Sequence, residues 1–111
     1  MKPRKLTKKG LIRKQKEEWM NAVRERDNYT CQICGKDCSK KAHSHHIIPR
    51  QIKETRYDIN NGITLCFHHH KVGSYSPHQN ALWFAEWLRL NKREQYEYIM
   101  NKLHELKKVF I

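Results

Sequence analysis

The chain has 111 residues, of which 38% are hydrophobic and 31% are charged. This length suits one domain, and the low apolar content excludes an extensive hydrophobic core. No run of apolar residues approaches the length of a membrane span. The 23 Lys and Arg against 11 Asp and Glu give a formal charge of +12, which predicts a polyanionic partner and first of all nucleic acid.

The N-terminal end is basic and has no apolar signal segment, so we expect a cytoplasmic protein. Residues 1–16 carry eight Lys or Arg and no acid. We predict a flexible basic arm at residues 1–13, which either follows nucleic-acid phosphates or is a tail without a specific role. A single domain is expected over residues 14–111, with its core at about 27–78 and C-terminal helices at about 79–108.

A first helix is predicted from about Lys14 to Arg26. Trp19 and Val23 are four residues apart, so they share one face of that helix and can pack together. Gly10 disfavours regular structure before this point. The sequence therefore predicts a helix that begins after the basic arm.

Cys31 and Cys34 are separated by two residues, and Gly35 follows them. Two thiolates at this spacing can bind one tetrahedral ion, and the glycine eases the tight turn. The pattern predicts a zinc knuckle, although redox dithiols share the spacing. In a reducing compartment the four cysteines, including Cys38 at a looser spacing, favour metal binding over disulfides.

A β-hairpin is predicted after the knuckle. Residues 43–48 favour a first strand, and residues 63–65 favour a second. The polar loop between them, residues 50–62, ends in residues that strongly favour turns. A short helix is expected near the end of the second strand, within residues 66–73.

Two further helices are predicted at the C-terminal end. The first runs from Gln79 to about Asn91, and Asn91 with Glu94 resembles a capping box that would begin the second. We interpret the apolar stripes of both helices as core or docking faces. The expected fold class is a small α+β domain with flanking helices.

Three cysteines and one histidine form a C-x2-C … C-x2-H pattern, namely Cys31, Cys34, Cys66 and His69. Zinc accepts thiolate and imidazole together in closed, four-coordinate sites. Such a site would add folding energy where the core is small. A competing ligand set replaces His69 with Cys38, which gives four thiolates.

The remaining histidines of this region are a second candidate for metal binding. Adjacent residues on a strand point to opposite sides, so His45 and His46 cannot both bind one ion. One of them can bind metal while the other faces the reaction. His70 could complete a metal site with His45, whereas His43, His68 and His104 are expected at the surface or in packing. Surplus imidazoles of this kind are not needed by a purely structural zinc module.

Three stretches of the sequence resemble the HNH endonuclease family, with its ββα-metal fold, in the version that carries a zinc knuckle. They are Tyr29-Thr30-Cys31-Gln32-Ile33-Cys34-Gly35-Lys36, then Ser44-His45-His46-Ile47-Ile48-Pro49, and finally Asn61-Gly62-Ile63-Thr64-Leu65-Cys66 with His69-His70-Lys71. The resemblance covers residues 27–72 well. The small size and basic ends are also similar to stand-alone nucleases of tailed bacteriophages, some encoded beside a DNA-packaging terminase, so phage DNA processing and a terminase contact are expectations by analogy.

The resemblance implies a role for each matching residue. His46 would be the general base, and Asn61 would brace the loop and orient that base. His45 and His70 would bind the catalytic ion, with His78 as a third ligand. The sequence departs from the family pattern at His69, which takes the place of the usual fourth zinc cysteine. Cys38 could compensate for that missing cysteine.

The implied activity is hydrolysis of double-stranded DNA, by nicking or by double-strand cleavage, with little sequence specificity. An imidazole-rich site favours Mn²⁺, Ni²⁺ or Co²⁺, with Mg²⁺ also considered. Arg50, Arg56 and Lys71 lie near the site in sequence and are DNA-binding candidates. The alternative function is a zinc-stabilised nucleic-acid-binding module without catalysis, and a weaker one is a redox protein that uses Cys31 and Cys34.

Overall fold

The structure is a computed structural model that describes residues 5–106. The elements in this range are three α-helices, two strands, a single turn of π-helix and two short 3-10 helices, Ser39–Lys41 and Ile59–Asn61. The longer elements are α1 Lys8–Arg26, β1 His43–His46, β2 Gly62–Leu65, the π-helical segment His68–Val72, α2 Ala81–Asn91 and α3 Arg93–Glu105. This small α+β fold confirms the predicted class. None of the helices in the described range has the length and apolar character needed to cross a membrane.

The first helix begins earlier than the sequence pattern predicts. Thr7 caps α1, because its hydroxyl oxygen accepts a hydrogen bond of 3.0 Å from the backbone N–H of Gly10. The predicted start at Lys14 is therefore wrong, and residues 8–13 of the predicted arm are helical. Residues 1–4 of that arm and positions 107–108 of the predicted C-terminal helices lie outside the described residues.

The two strands form an antiparallel hairpin that packs against α1. Their register pairs His43 with Leu65 and His46 with Gly62. A side chain at Gly62 would collide with Trp19 and Val23, the two buried residues of α1. Glycine at this position therefore lets the helix lie directly on the end of the hairpin.

The C-terminal helices pack against each other, and α2 contributes buried side chains to the core that also contains β2. Asn80 caps α2, with its side-chain oxygen 3.0 Å from the backbone nitrogen of Trp83. The predicted capping box of α3 is wrong, because Asn91 is the last residue of α2 and its amide donates to the carbonyl of Trp87. Lys92 instead separates the helices and makes no side-chain capping bond.

Candidate metal centres and active-site cleft

The four residues of the C-x2-C … C-x2-H pattern meet in space. One ligand atom from each of Cys31, Cys34, Cys66 and His69 lies within 4.8 Å of all the others. The sulfurs of Cys34 and Cys66 are 4.0 Å apart, and the Cys66 sulfur is 3.2 Å from Nδ1 of His69. Zinc–sulfur bonds of about 2.3 Å in a tetrahedron place two sulfurs about 3.8 Å apart, so this cluster could hold a structural metal such as zinc.

The local backbone explains how the knuckle brings its thiols together. Gly35 has a φ of +76°, and its N–H donates to the carbonyl of Cys31 across the tight turn. The N–H of Gln32 donates to the carbonyl of Thr64, which ties the knuckle to β2. The cysteine pair is therefore anchored beside the strand that leads to Cys66.

The thiols of the knuckle differ in acidity. Burial opposes ionisation of Cys31, but backbone N–H groups, those of Cys34 and Cys66 first, outweigh it and lower its pKa. Burial, followed by the neighbouring thiols, raises the pKa of Cys34 to about 11. A divalent cation would reverse that effect, because it stabilises thiolates directly.

Cys38 packs in the same buried cluster but does not belong to this set of four. Its thiol is buried and donates to the carbonyl of Lys36 at 3.4 Å. Burial raises its pKa, so it stays a neutral thiol. Within the described residues, the set that converges on one point includes His69 and not Cys38.

A second cluster consists of His45 from β1, His70 from the π-helical segment and His78 from the loop before α2. Nε2 of His70 is 3.0 Å from Nδ1 of His45 and 3.1 Å from Nε2 of His78. Metal–nitrogen bonds of about 2.1 Å place neighbouring ligand nitrogens about 3.0–3.4 Å apart. The spacing of the three nitrogens therefore fits one divalent cation.

The electrostatics of this cluster suit metal binding. Burial, followed by the adjacent imidazoles, lowers the pKa of His45 to about 3 and that of His70 to about 4. Both rings are thus neutral at physiological pH, which is the form that binds metal. Protons do not compete with a cation for these nitrogens near neutral pH.

His46 points away from this cluster and towards α1, as the strand alternation predicts. Its ring stacks on Trp19, with 3.9 Å between ring centroids and 9° between planes. Its Nε2 is 2.9 Å from the carbonyl oxygen of Arg56. Because a carbonyl only accepts, Nε2 carries the proton of the neutral ring and Nδ1 is the basic nitrogen.

The surroundings of His46 are cationic. Burial lowers its pKa, and the positive charges of Arg50, Arg56 and Lys16 lower it further. The hydrogen bond to the Arg56 carbonyl acts in the opposite direction without reversing the shift. The ring is therefore neutral near pH 7 and able to accept a proton.

Asn61 is fully buried and braces the loop after β1. Its side-chain oxygen accepts from the N–H of Ile48 at 2.6 Å, and its amide donates to the carbonyls of Ile48 and Thr55. These bonds fix the path of the loop that presents the Arg56 carbonyl to His46. The side chain itself is enclosed and does not face the cleft.

Two clefts meet at His46. The metal cleft has a volume of about 730 Å³ and is bounded by the three-histidine cluster, Lys71 and Arg50 at one end and by apolar side chains of α2 and α3 at the other. The α1 cleft, of about 440 Å³, lies between α1 and the loop after β1, with Lys16, Arg50 and Arg56 in its walls. All three predicted DNA-binding candidates, Arg50, Arg56 and Lys71, thus line a cleft. The Arg56 side chain also donates to the Arg50 carbonyl at 2.6 Å, so it closes the loop.

Three residues make contacts near the histidine cluster or the α1 cleft that are not expected from the sequence alone. His43, expected at the surface or in packing, contacts His70, and its alternation with His45 was the signal that it shares that face. Lys16 enters the α1 cleft because it lies one turn before Trp19 on the same helix face. Trp19, predicted as core, is also the platform under His46.

Comparison with known proteins gives one match. Residues 31–73 fit the family model described as HNH endonuclease. The matched range includes the four Cys and His of the first cluster, together with His45, His46, Asn61 and His70, and it stops before His78. Among curated proteins and solved structures, none matches this chain.

Proposed function

Because residues 31–73 match the HNH endonuclease family model, we propose that the chain is a metal-dependent endonuclease that hydrolyses phosphodiester bonds of double-stranded DNA. The observation that carries this proposal is the pairing of a neutral, oriented His46 with a three-histidine cluster on the other face of the same strand. A general base and a cation site on adjacent residues are what phosphodiester hydrolysis requires.

His46 is the proposed general base. Its Nδ1 accepts the proton of a water molecule as that water attacks phosphorus, while Nε2–H stays bonded to the Arg56 carbonyl. Trp19 holds the ring plane by stacking, so the basic nitrogen keeps one direction. Asn61 acts through the loop and positions the base without touching the substrate.

His45, His70 and His78 would hold the catalytic ion, which when bound neutralises charge on the phosphate and on the leaving oxygen. Three imidazoles suit Mn²⁺, Ni²⁺ or Co²⁺ better than Mg²⁺, which prefers oxygen ligands. Cys31, Cys34, Cys66 and His69 would hold zinc and stabilise the fold.

The basic walls of both clefts support DNA as the substrate. Arg50 lines the two clefts, Lys71 lies beside the metal cluster, and Lys16 lies in the α1 cleft. Cations at these positions can neutralise phosphates on either side of the bond that is cut. Such contacts favour binding with little sequence specificity. The predicted role beside a phage terminase stays a prediction by analogy.

The test is cleavage of supercoiled plasmid by zinc-containing protein with added Mn²⁺, comparing wild type with His46→Ala. We expect the substitution to reduce the cleavage rate by about 10²–10⁴-fold, since general-base catalysis is worth that much. His104→Ala, at an exposed position of α3, is the matched control and should cut like wild type.

If the wild-type protein binds DNA without cutting it, the proposal fails and the non-catalytic binding module replaces it. If His46→Ala cuts at the wild-type rate, His46 is not the base. Circular dichroism and zinc content of each variant show that a loss of cleavage is not a loss of fold.

A further inference from the structure

His43 lies directly behind the metal cluster. Its Nδ1 is 2.9 Å from Nδ1 of His70, and the two rings meet edge to face with centroids 5.1 Å apart. His43 and His45 are two residues apart on β1, so both side chains point to the face that His70 covers. Phe67 also meets His43 edge to face, with 5.8 Å between ring centroids. Two aromatic neighbours thus contact the ring.

The contact constrains where the protons of both rings lie. His70 directs Nε2 at His45 and His78, so this nitrogen must be unprotonated to act as a ligand. The neutral ring then carries its proton on Nδ1, which needs an acceptor. Nδ1 of His43 is the atom within hydrogen-bond distance. His43 therefore accepts at Nδ1 and carries its own proton on Nε2.

We infer that His43 is a positioning residue for the metal centre, which fixes His70 in the tautomer and orientation that present Nε2 to the ion. This inference rests on the proposed function, because it assigns His43 to the site that the proposal uses. A ligand histidine whose second nitrogen donates to a protein acceptor is held in place before metal arrives. His43 itself contributes no ligand atom to the group of three in the described structure.

The test compares two substitutions of His43. Both remove the imidazole ring, but only one of them keeps a hydrogen-bond acceptor for His70. His43→Leu fills similar space but removes the acceptor, whereas His43→Asn keeps an oxygen near the place of Nδ1. Co²⁺ binding to zinc-containing protein is measured by calorimetry and by the visible absorption of the ion. We expect His43→Leu to weaken Co²⁺ binding by about 10–100-fold and His43→Asn to restore affinity to within about 3-fold of wild type.

The control is His104→Leu, which removes an exposed histidine from α3 and should leave Co²⁺ affinity unchanged. A second measurement needs no variant. Nitrogen-15 NMR of the wild-type protein without the second ion shows which nitrogen of each imidazole carries the proton. It should show His70 with its proton on Nδ1. A proton on Nε2 of His70, or equal Co²⁺ affinity in His43→Leu and wild type, would overturn the inference.

Failure of this inference and failure of the proposed function give different results. If the wild-type protein binds Co²⁺ and cuts plasmid while His43→Leu does the same, only the role of His43 is lost. If the wild-type protein binds no second ion, the proposed metal-dependent nuclease fails as well. Weakening to the same degree in His43→Asn and His43→Leu would assign His43 to packing and contradict the positioning role.

Discussion

Single residues decide the chemistry of this domain through the nitrogen or sulfur atom that each presents. His45 and His46 are neighbours in sequence, yet strand alternation sends one to the three-histidine cluster and the other to Trp19. The carbonyl of Arg56 then selects which nitrogen of His46 is basic. One backbone acceptor and one stacked indole thus fix the tautomer and the ring plane of the proposed base.

Cysteine substitutions test the ligand set of the first cluster. Cys34→Ser should reduce bound zinc to well below one equivalent, because Cys34 belongs to the converging group. Cys38→Ser removes a thiol that bonds only to the carbonyl of Lys36 and should retain the metal. Zinc content by atomic emission, together with the thermal midpoint, measures both effects. Zinc loss in Cys38→Ser with retention in His69→Ala would instead favour the four-thiolate set.

The residues that sequence reasoning placed correctly are those whose position follows from local periodicity. The opposed directions of His45 and His46 follow from alternation, and the meeting of Cys31 and Cys34 follows from their spacing. The contact of His43 with His70 could not be predicted, because His70 approaches from a π-helical segment whose orientation depends on tertiary packing. Local pattern could indicate the face of His43 but not what covers that face.

At the scale of elements, one face of α1 is buried and apolar towards its C-terminal end and exposed and basic towards its N-terminal end. Val23 and Trp19 are buried against the hairpin, whereas Lys16 and Lys9 follow on the same face and are exposed. Lys16 and Ile12 of this face line the α1 cleft next to His46. The helix thus carries a packing half and a basic half, and the basic half extends from the proposed active site.

This basic half of α1 should contact DNA phosphates. The double variant Lys9→Gln/Lys16→Gln should weaken duplex binding, and the slope of log affinity against log salt should become shallower by about 1–2, since each phosphate contact contributes about 0.9. Fluorescence anisotropy with a short duplex across a salt series gives the slope. Lys36→Gln/Lys40→Gln, at exposed positions that line neither cleft, is the charge-matched control.

An unchanged slope in the α1 variant would contradict the phosphate contacts of that helix. If the slope of log affinity against log salt becomes equally shallow in the control, the effect comes from the net charge of the whole surface and not from contacts of α1. The sequence predicts a flexible arm here, because Pro3 and Gly10 disfavour regular structure. In the structure the Gly10 N–H bonds to the Thr7 cap, so glycine lies in the first turn, where its cost is offset.

On the scale of the whole molecule, two clusters of candidate metal ligands lie near β2. The cysteine-rich cluster connects the knuckle to the end of β2, and the histidine cluster connects β1 to the π-helical segment and the loop before α2. Adjacent residues, His69 and His70, belong to different clusters. The short segment after β2 therefore connects the proposed stabilising site to the proposed reactive site within a domain that has a small core.

The central claim is that cleavage depends on a second ion at the histidine cluster while zinc stays at the cysteines. The most direct measurement is a Mn²⁺ titration of plasmid cleavage by protein that contains one equivalent of zinc. We predict no cleavage without added ion and a rate that saturates as Mn²⁺ rises, with zinc content constant and a lower maximum in Mg²⁺. Full cleavage by the one-zinc protein without a second ion, or none with any divalent cation, would contradict the account.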